Sequence, residues 1–120
     1  MKKVLIIEDY PATAKMIAEI LEMEGINASI SPEGRSGIEK AASEKPNLIL
    51  LDVMLPEMDG LAVCEKLKGD PKTKDIPVIF VSVKGTEEDI KAGMEKGATA
   101  YIPKPFDPFK LVEIVKKTLG

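Results

Sequence analysis

Residues 47–60 read NLILLDVMLPEMDG: an apolar run of strand-forming residues that ends on a carboxylate, Asp52, and continues into a loop closed by Gly60. Leu48, Ile49, Leu50 and Leu51 follow one another with no polar alternation. That is the pattern of a strand buried on both faces, as in parallel sheets sandwiched between helices. An ionised side chain at the mouth of such a strand costs several kcal/mol unless a cation or hydrogen bonds offset it. Asp52 is therefore either a solvated strand end or a group with a chemical task.

Outward from this stretch, short apolar runs alternate with helical patterns. KVLII (Lys3–Ile7) is a second buried run, and Pro11 opens a helix with Ala14, Ile17, Ala18 and Leu21 on one face and Gly25 closing it. NASI (27–30) reads as a shorter strand, and residues 35–44 as a modest helix stopped before Pro46. Beyond the central run come a helix over roughly 61–68, the polar loop GDPKTKDIP and the strand VIFVS. Residues 87–96 read as a helix with acidic residues in its first turn and Lys96 in its last, as the helix dipole prefers. A short strand, AYI, precedes a final helix with Asp107 as N-cap and Pro108 at its first position. Leu111, Ile114, Val115 and Leu119 form the apolar face of that helix. Strand and helix thus alternate five times, which predicts an α/β, doubly wound parallel sheet with helices on both faces.

Composition narrows the function. At 120 residues the chain is expected to be one domain, residues 1–120. Its 44% hydrophobic and 31% charged residues suit a globular protein, and no apolar run is long enough to span a membrane. The N-terminal MKKVLII runs straight into Glu8 and Asp9 without a small-residue cleavage site, so a cytoplasmic location is expected. The single cysteine, Cys64, permits no internal disulfide and reads as a small buried hydrophobe. A net charge of −3 provides no basic footprint for direct nucleic-acid binding. Histidine is absent, which removes the usual general base and any imidazole metal ligand. No GxGxxG follows the first strand, which argues against a flavin or dinucleotide site.

In doubly wound folds, ligands gather outside the carboxyl ends of the strands. There the first strand runs into Glu8 and Asp9, the third into Asp52, the fourth into Ser82 and the fifth into Lys104. Glu8 and Asp9 could alternatively cap the helix that Pro11 begins, but the other strand ends favour a shared site. Three converging carboxylates repel unless a cation lies between them, and oxygen-only ligands favour a hard ion, Mg²⁺. Lys104 is a point charge suited to a phosphoryl oxygen, and Ser82 adds a hydroxyl. Carboxylate, divalent metal, ammonium and hydroxyl make up a phosphoryl-transfer set in which Asp52 would become an aspartyl phosphate. Gly60 is expected to end the PEMDG turn where other residues would be strained.

The motifs VLIIED, LILLDVMLPEMDG, IPVIFVS and AYIPKPF occur in that order over essentially the whole chain. Together they resemble the receiver domains of bacterial two-component response regulators, of the single-domain, chemotaxis-regulator-like kind. The resemblance implies a flavodoxin-like five-stranded sheet of order 2-1-3-4-5. It implies phosphorylation of Asp52, with Mg²⁺ held directly by Asp9 and Asp52, through water by Glu8, and by the backbone carbonyl of Met54. Lys104 would contact the phosphoryl group, Ser82 would bond it after transfer, Tyr101 would move between outward and buried rotamers, and the Lys104–Pro105 bond would be cis. Val83 and Tyr10 depart from the commonest family pattern, and the methyl groups of Val83 would narrow the path to Asp52.

The expected function is a signalling switch. A sensor histidine kinase or histidine phosphotransfer protein would donate the phosphoryl group, because this chain has no histidine of its own. The face built by the fourth helix, fifth strand and fifth helix would then repack toward a downstream protein target, a detached output domain or a second copy of the chain. The chain ends at Gly120 directly after the fifth helix, so no output domain is expected within it. It would be a phosphoacceptor that catalyses its own phosphotransfer and dephosphorylation rather than an enzyme acting on other substrates. A metal-dependent phosphatase is disfavoured, because such enzymes commonly carry a second acid where this chain has Met54. An interaction module that works unphosphorylated is the non-catalytic alternative.

Overall fold

Five apolar runs become the five strands of one sheet in a computed structural model that describes residues 2–120. They are β1 (Lys3–Ile7), β2 (Asn27–Ser31), β3 (Leu48–Leu51), β4 (Val78–Ser82) and β5 (Ala100–Pro103). Each is followed by a helix: α1 (Pro11–Met23), α2 (Gly34–Glu44), α3 (Gly60–Lys68), α4 (Glu87–Glu95) and α5 (Pro108–Leu119). The strands are all parallel in the order β2-β1-β3-β4-β5, the doubly wound, flavodoxin-like arrangement. Boundaries differ from the sequence reading by a residue or so: Ser31 joins β2, Gly34 opens α2, and Lys96 caps α4 rather than lying in its last turn.

Alternation along each strand divides the core. Val4, Ile6, Leu50 and Ile79 face α1 and α5, where Leu21 and Leu111 close the layer. Leu5, Ile7, Leu51 and Phe80 face the opposite layer, where Val63, Cys64 and Leu67 of α3 pack. Each fully buried Leu, Ile or Phe contributes about 1.5–3 kcal/mol relative to exposure, so the two layers hold the sheet from both sides. Among the described residues, no helix is long and apolar enough to cross a membrane.

The helix starts follow capping chemistry. Asp59 accepts from the Ala62 N–H at 3.0 Å and Asp107 from the Phe109 N–H at 2.9 Å. Thr86 and Asp89 form a reciprocal capping box at α4. The N-cap of α1 is Tyr10, with no side-chain cap, so neither Glu8 nor Asp9 is the N-cap of that helix.

Candidate functional site

Main-chain hydrogen bonds carry the strand ends together. The Asp52 N–H donates to the Ile7 carbonyl at 3.0 Å, which sets Asp52 beside Glu8. The Lys104 N–H donates to the Ser82 carbonyl at 2.8 Å, which sets the ends of β4 and β5 side by side. The ladders that build the sheet thus run on into the crevice, and the Lys104–Pro105 peptide that follows is cis.

The side chains meet there. Lys104 Nζ donates to Glu8 Oε1 at 2.5 Å and to Asp52 Oδ2 at 2.9 Å. The remaining oxygens are held by backbone: Glu8 Oε2 accepts from the Tyr10 N–H at 3.1 Å, and Asp52 Oδ1 from the Met54 N–H at 3.0 Å. Glu8 and Asp52 are only 3% and 6% exposed, whereas Asp9 faces solvent. One carboxylate oxygen from each of Glu8, Asp9 and Asp52 lies within 4.8 Å of the others.

The electrostatics follow from burial. Desolvation raises the Glu8 carboxyl above its ordinary value, against the pull of the Lys104 bond. Burial also opposes the charge of the Lys104 ammonium, but its bonds to Glu8 and Asp52 and their charges prevail and raise its pKa. Three carboxyl groups face one ammonium here, an excess of acid that a divalent cation would offset. Hard oxygen donors, one of them open to solvent, fit Mg²⁺ and suit no soft metal.

The loop after β3 explains Gly60 differently from the sequence reading. The positive φ of the PEMDG turn falls on Glu57, at 65°, and not on Gly60. Gly60 is required for closeness: its N–H donates to the Val53 carbonyl at 2.7 Å while its α-carbon passes beneath Asp52. Across the crevice Ser82 is buried; its Oγ accepts from the Lys84 N–H at 3.3 Å and its hydroxyl bonds the Tyr101 hydroxyl. Tyr101 is half-buried against Phe80 and its hydroxyl donates to the Lys84 carbonyl. A cavity of about 530 Å³ opens beside the acidic cluster, lined by Asp9, Met54, Leu55, Asp59, Lys84 and Tyr101. Val83 is 61% exposed and lines a second cavity with Lys104 and Phe106.

Glu8, Asp9, Asp52 and Lys104 therefore meet in one crevice, and Ser82 is tied to Lys104 through its main-chain carbonyl. The Met54 and Tyr10 amides and the Lys84 carbonyl went unread in the sequence, because main-chain groups leave no residue-type signal. The Thr86 capping box did carry one, the spacing T-x-x-D before the helix.

A family model described as the response regulator receiver domain matches residues 4–116. The chain is 38% identical over 119 residues to the DNA-binding dual master transcriptional regulator RpaA of Synechocystis sp., covering 99% of this chain and 49% of that protein. It spans about half the length of several of the curated relatives it matches. Among solved structures, a putative response regulator from Chloroflexus aurantiacus superposes with a TM-score of 0.94 at 30% identity, covering 98% of this chain and 97% of that one. The BeF3-activated N-terminal receiver domain of Klebsiella pneumoniae RstA superposes with a TM-score of 0.92 at 30% identity, covering 98% of each chain.

Proposed function

We propose, from the premise that this chain belongs to the family of response regulator receiver domains, that Asp52 accepts a phosphoryl group and thereby switches a protein-interaction face. The observation that carries this reading is the placement of the Lys104 ammonium between Glu8 and Asp52, with Asp9 beside them and open to solvent.

The Asp52 carboxylate is the nucleophile. A P–O bond forms to it as the P–N bond of a partner's phosphohistidine breaks, and the imidazole leaves with the bonding pair and takes a proton from water. The Met54 N–H on Oδ1 and the Lys104 ammonium on Oδ2 fix the plane of the attacking carboxylate. Lys104 then follows the charge onto the phosphoryl oxygens. Ser82, whose oxygen already accepts from Lys84, turns its hydroxyl from Tyr101 to the phosphoryl group and draws the β4–α4 loop inward. Asp9 and Asp52, the Met54 carbonyl and, through water, Glu8 would hold Mg²⁺, which when bound neutralises developing charge on the phosphoryl oxygens.

The donor is a sensor histidine kinase or a histidine phosphotransfer protein, and the output is a contact made by α4, β5 and α5 with a downstream protein, an output domain or a second copy. Intact mass after incubation with Mg²⁺ and acetyl phosphate tests the reading. One added phosphoryl group is expected, absent from Asp52→Asn and from protein treated with chelator. No mass gain, together with no binding of beryllofluoride, would overturn it in favour of a module that works unmodified.

A further inference from the structure

Gly93 is the residue of α4 that the fold buries. A β-carbon built there would stand 2.9 Å from Cδ2 of Tyr101 and 3.0 Å from Cδ2 of Phe80, closer than carbon atoms approach without displacement. Helix α4 therefore rests on the ring pair with no side chain of its own between them. Glycine inside a helix weakens it relative to alanine, so at this position local helix preference yields to the contact. Phe80 is fully enclosed in the core, and its ring centroid lies 5.6 Å from that of Tyr101. Of the two rings only Tyr101, half-buried on the edge strand, has somewhere to go. In the position it occupies, its hydroxyl is bonded to the carbonyl of Lys84, in the loop that joins Ser82 to α4.

We propose that Gly93 is a positioning residue. By leaving space under α4, it holds Tyr101 in the rotamer that clasps Lys84, so the seat of α4 and the rotamer of Tyr101 change together. This deepens the phosphoacceptor reading. Gly93 is what keeps the ring of Tyr101 against the loop that follows Ser82. Any side chain at position 93 forces the ring outward and breaks the chain of contacts at Lys84.

Tyrosine fluorescence tests this directly, because the chain has two tyrosines and no tryptophan. In a Tyr10→Phe background Tyr101 is the sole emitter, and acrylamide quenching reports its exposure in the metal-free, unphosphorylated protein. Gly93→Ala is expected to raise the quenching constant toward that of Tyr10, measured in the reciprocal Tyr101→Phe protein. An unchanged constant would overturn the proposal and leave Gly93 an ordinary helix glycine. If Gly93→Ala fails to fold, Gly93→Ala combined with Tyr101→Leu is expected to restore folding. Equal loss in the double variant would place the clash on Phe80 and overturn the proposal. Because the readout needs neither metal nor phosphoryl group, failure of the phosphoacceptor reading would not change it, and its own failure would leave that reading standing.

Discussion

The backbone of Gly60 passes so close beneath Asp52 that a β-carbon at position 60 would stand 2.1 Å from the Asp52 carbonyl oxygen. No rotamer change relieves an approach to main-chain atoms. Gly60→Ala is expected to displace the loop after β3, to cost at least about 1–3 kcal/mol as overpacking does, and to slow phosphorylation of Asp52. Urea denaturation and the acetyl phosphate mass assay measure the two effects separately. Wild-type values in both would mean that the loop yields freely.

Lys104→Met leaves Glu8 and Asp52 facing each other with no counter-charge. Breaking a buried ion pair typically costs about 3–5 kcal/mol, and less is expected here because the Lys104 side chain keeps 15% exposure. Mg²⁺ should restore more stability to Lys104→Met than it adds to the wild type, since the metal replaces part of the missing positive charge. Denaturant melts with and without Mg²⁺ decide this, and equal increments would show that lysine and metal act independently.

Alkaline pH should destabilise the fold in order of raised pKa values. Burial lifts the Cys64 thiol above 9.0, burial and the charge of Asp89 lift Tyr101 above 10.0, and the paired carboxylates lift Lys104 above 10.5. A group that holds its proton more tightly when folded contributes stability that is present below its unfolded pKa and lost as pH rises through the folded one. Stability should therefore begin to fall above pH 9.0, with Cys64 as the first contributor. Cys64→Ala should remove that first part of the decline in pH-dependent melts, and an identical slope in the variant would rule Cys64 out.

Glu8 obeys the same rule on the acid side. Its carboxyl is raised above 4.5, so its contribution to the metal-free fold is lost as pH rises through the folded value. Metal binding needs the ionised form, so stabilisation by Mg²⁺ should grow as pH rises through the same range. At about a hundred-fold excess over its Kd the metal would add about 2.7 kcal/mol. Glu8→Gln should flatten this growth in thermal melts, whereas an unaltered pH profile would place Glu8 outside the metal's reach.

Strands β1, β3 and β4 were legible because their buried runs carry no polar interruption, and the strand-end groups were legible because a carboxylate or lysine there conflicts with burial. The roles of Gly60 and Gly93 were not. Each is defined by what another segment brings to within 3 Å of where its β-carbon would stand, and a single glycine in a sequence does not reveal its distant neighbour. The clasp between Tyr101 and Lys84 escaped for a related reason, since its acceptor is a carbonyl that every residue possesses. Periodicity thus recovers layers and strand ends, whereas contacts through space that depend on a missing side chain become visible only once the layers are assembled.

The ion pair between Glu8 and Lys104 joins residues 96 positions apart, each just past the end of its strand, the first and the last of the chain. A nascent chain emerging from the ribosome presents both buried carboxylates long before it presents the ammonium that reconciles them. Until β5 docks, the end of the sheet carries uncompensated like charge, which opposes its closing up early. The charge balance at Asp52 is therefore coupled to docking of β5: a truncated or half-folded product lacks the ammonium that offsets the two carboxylates, and could not serve the phosphoacceptor role proposed above.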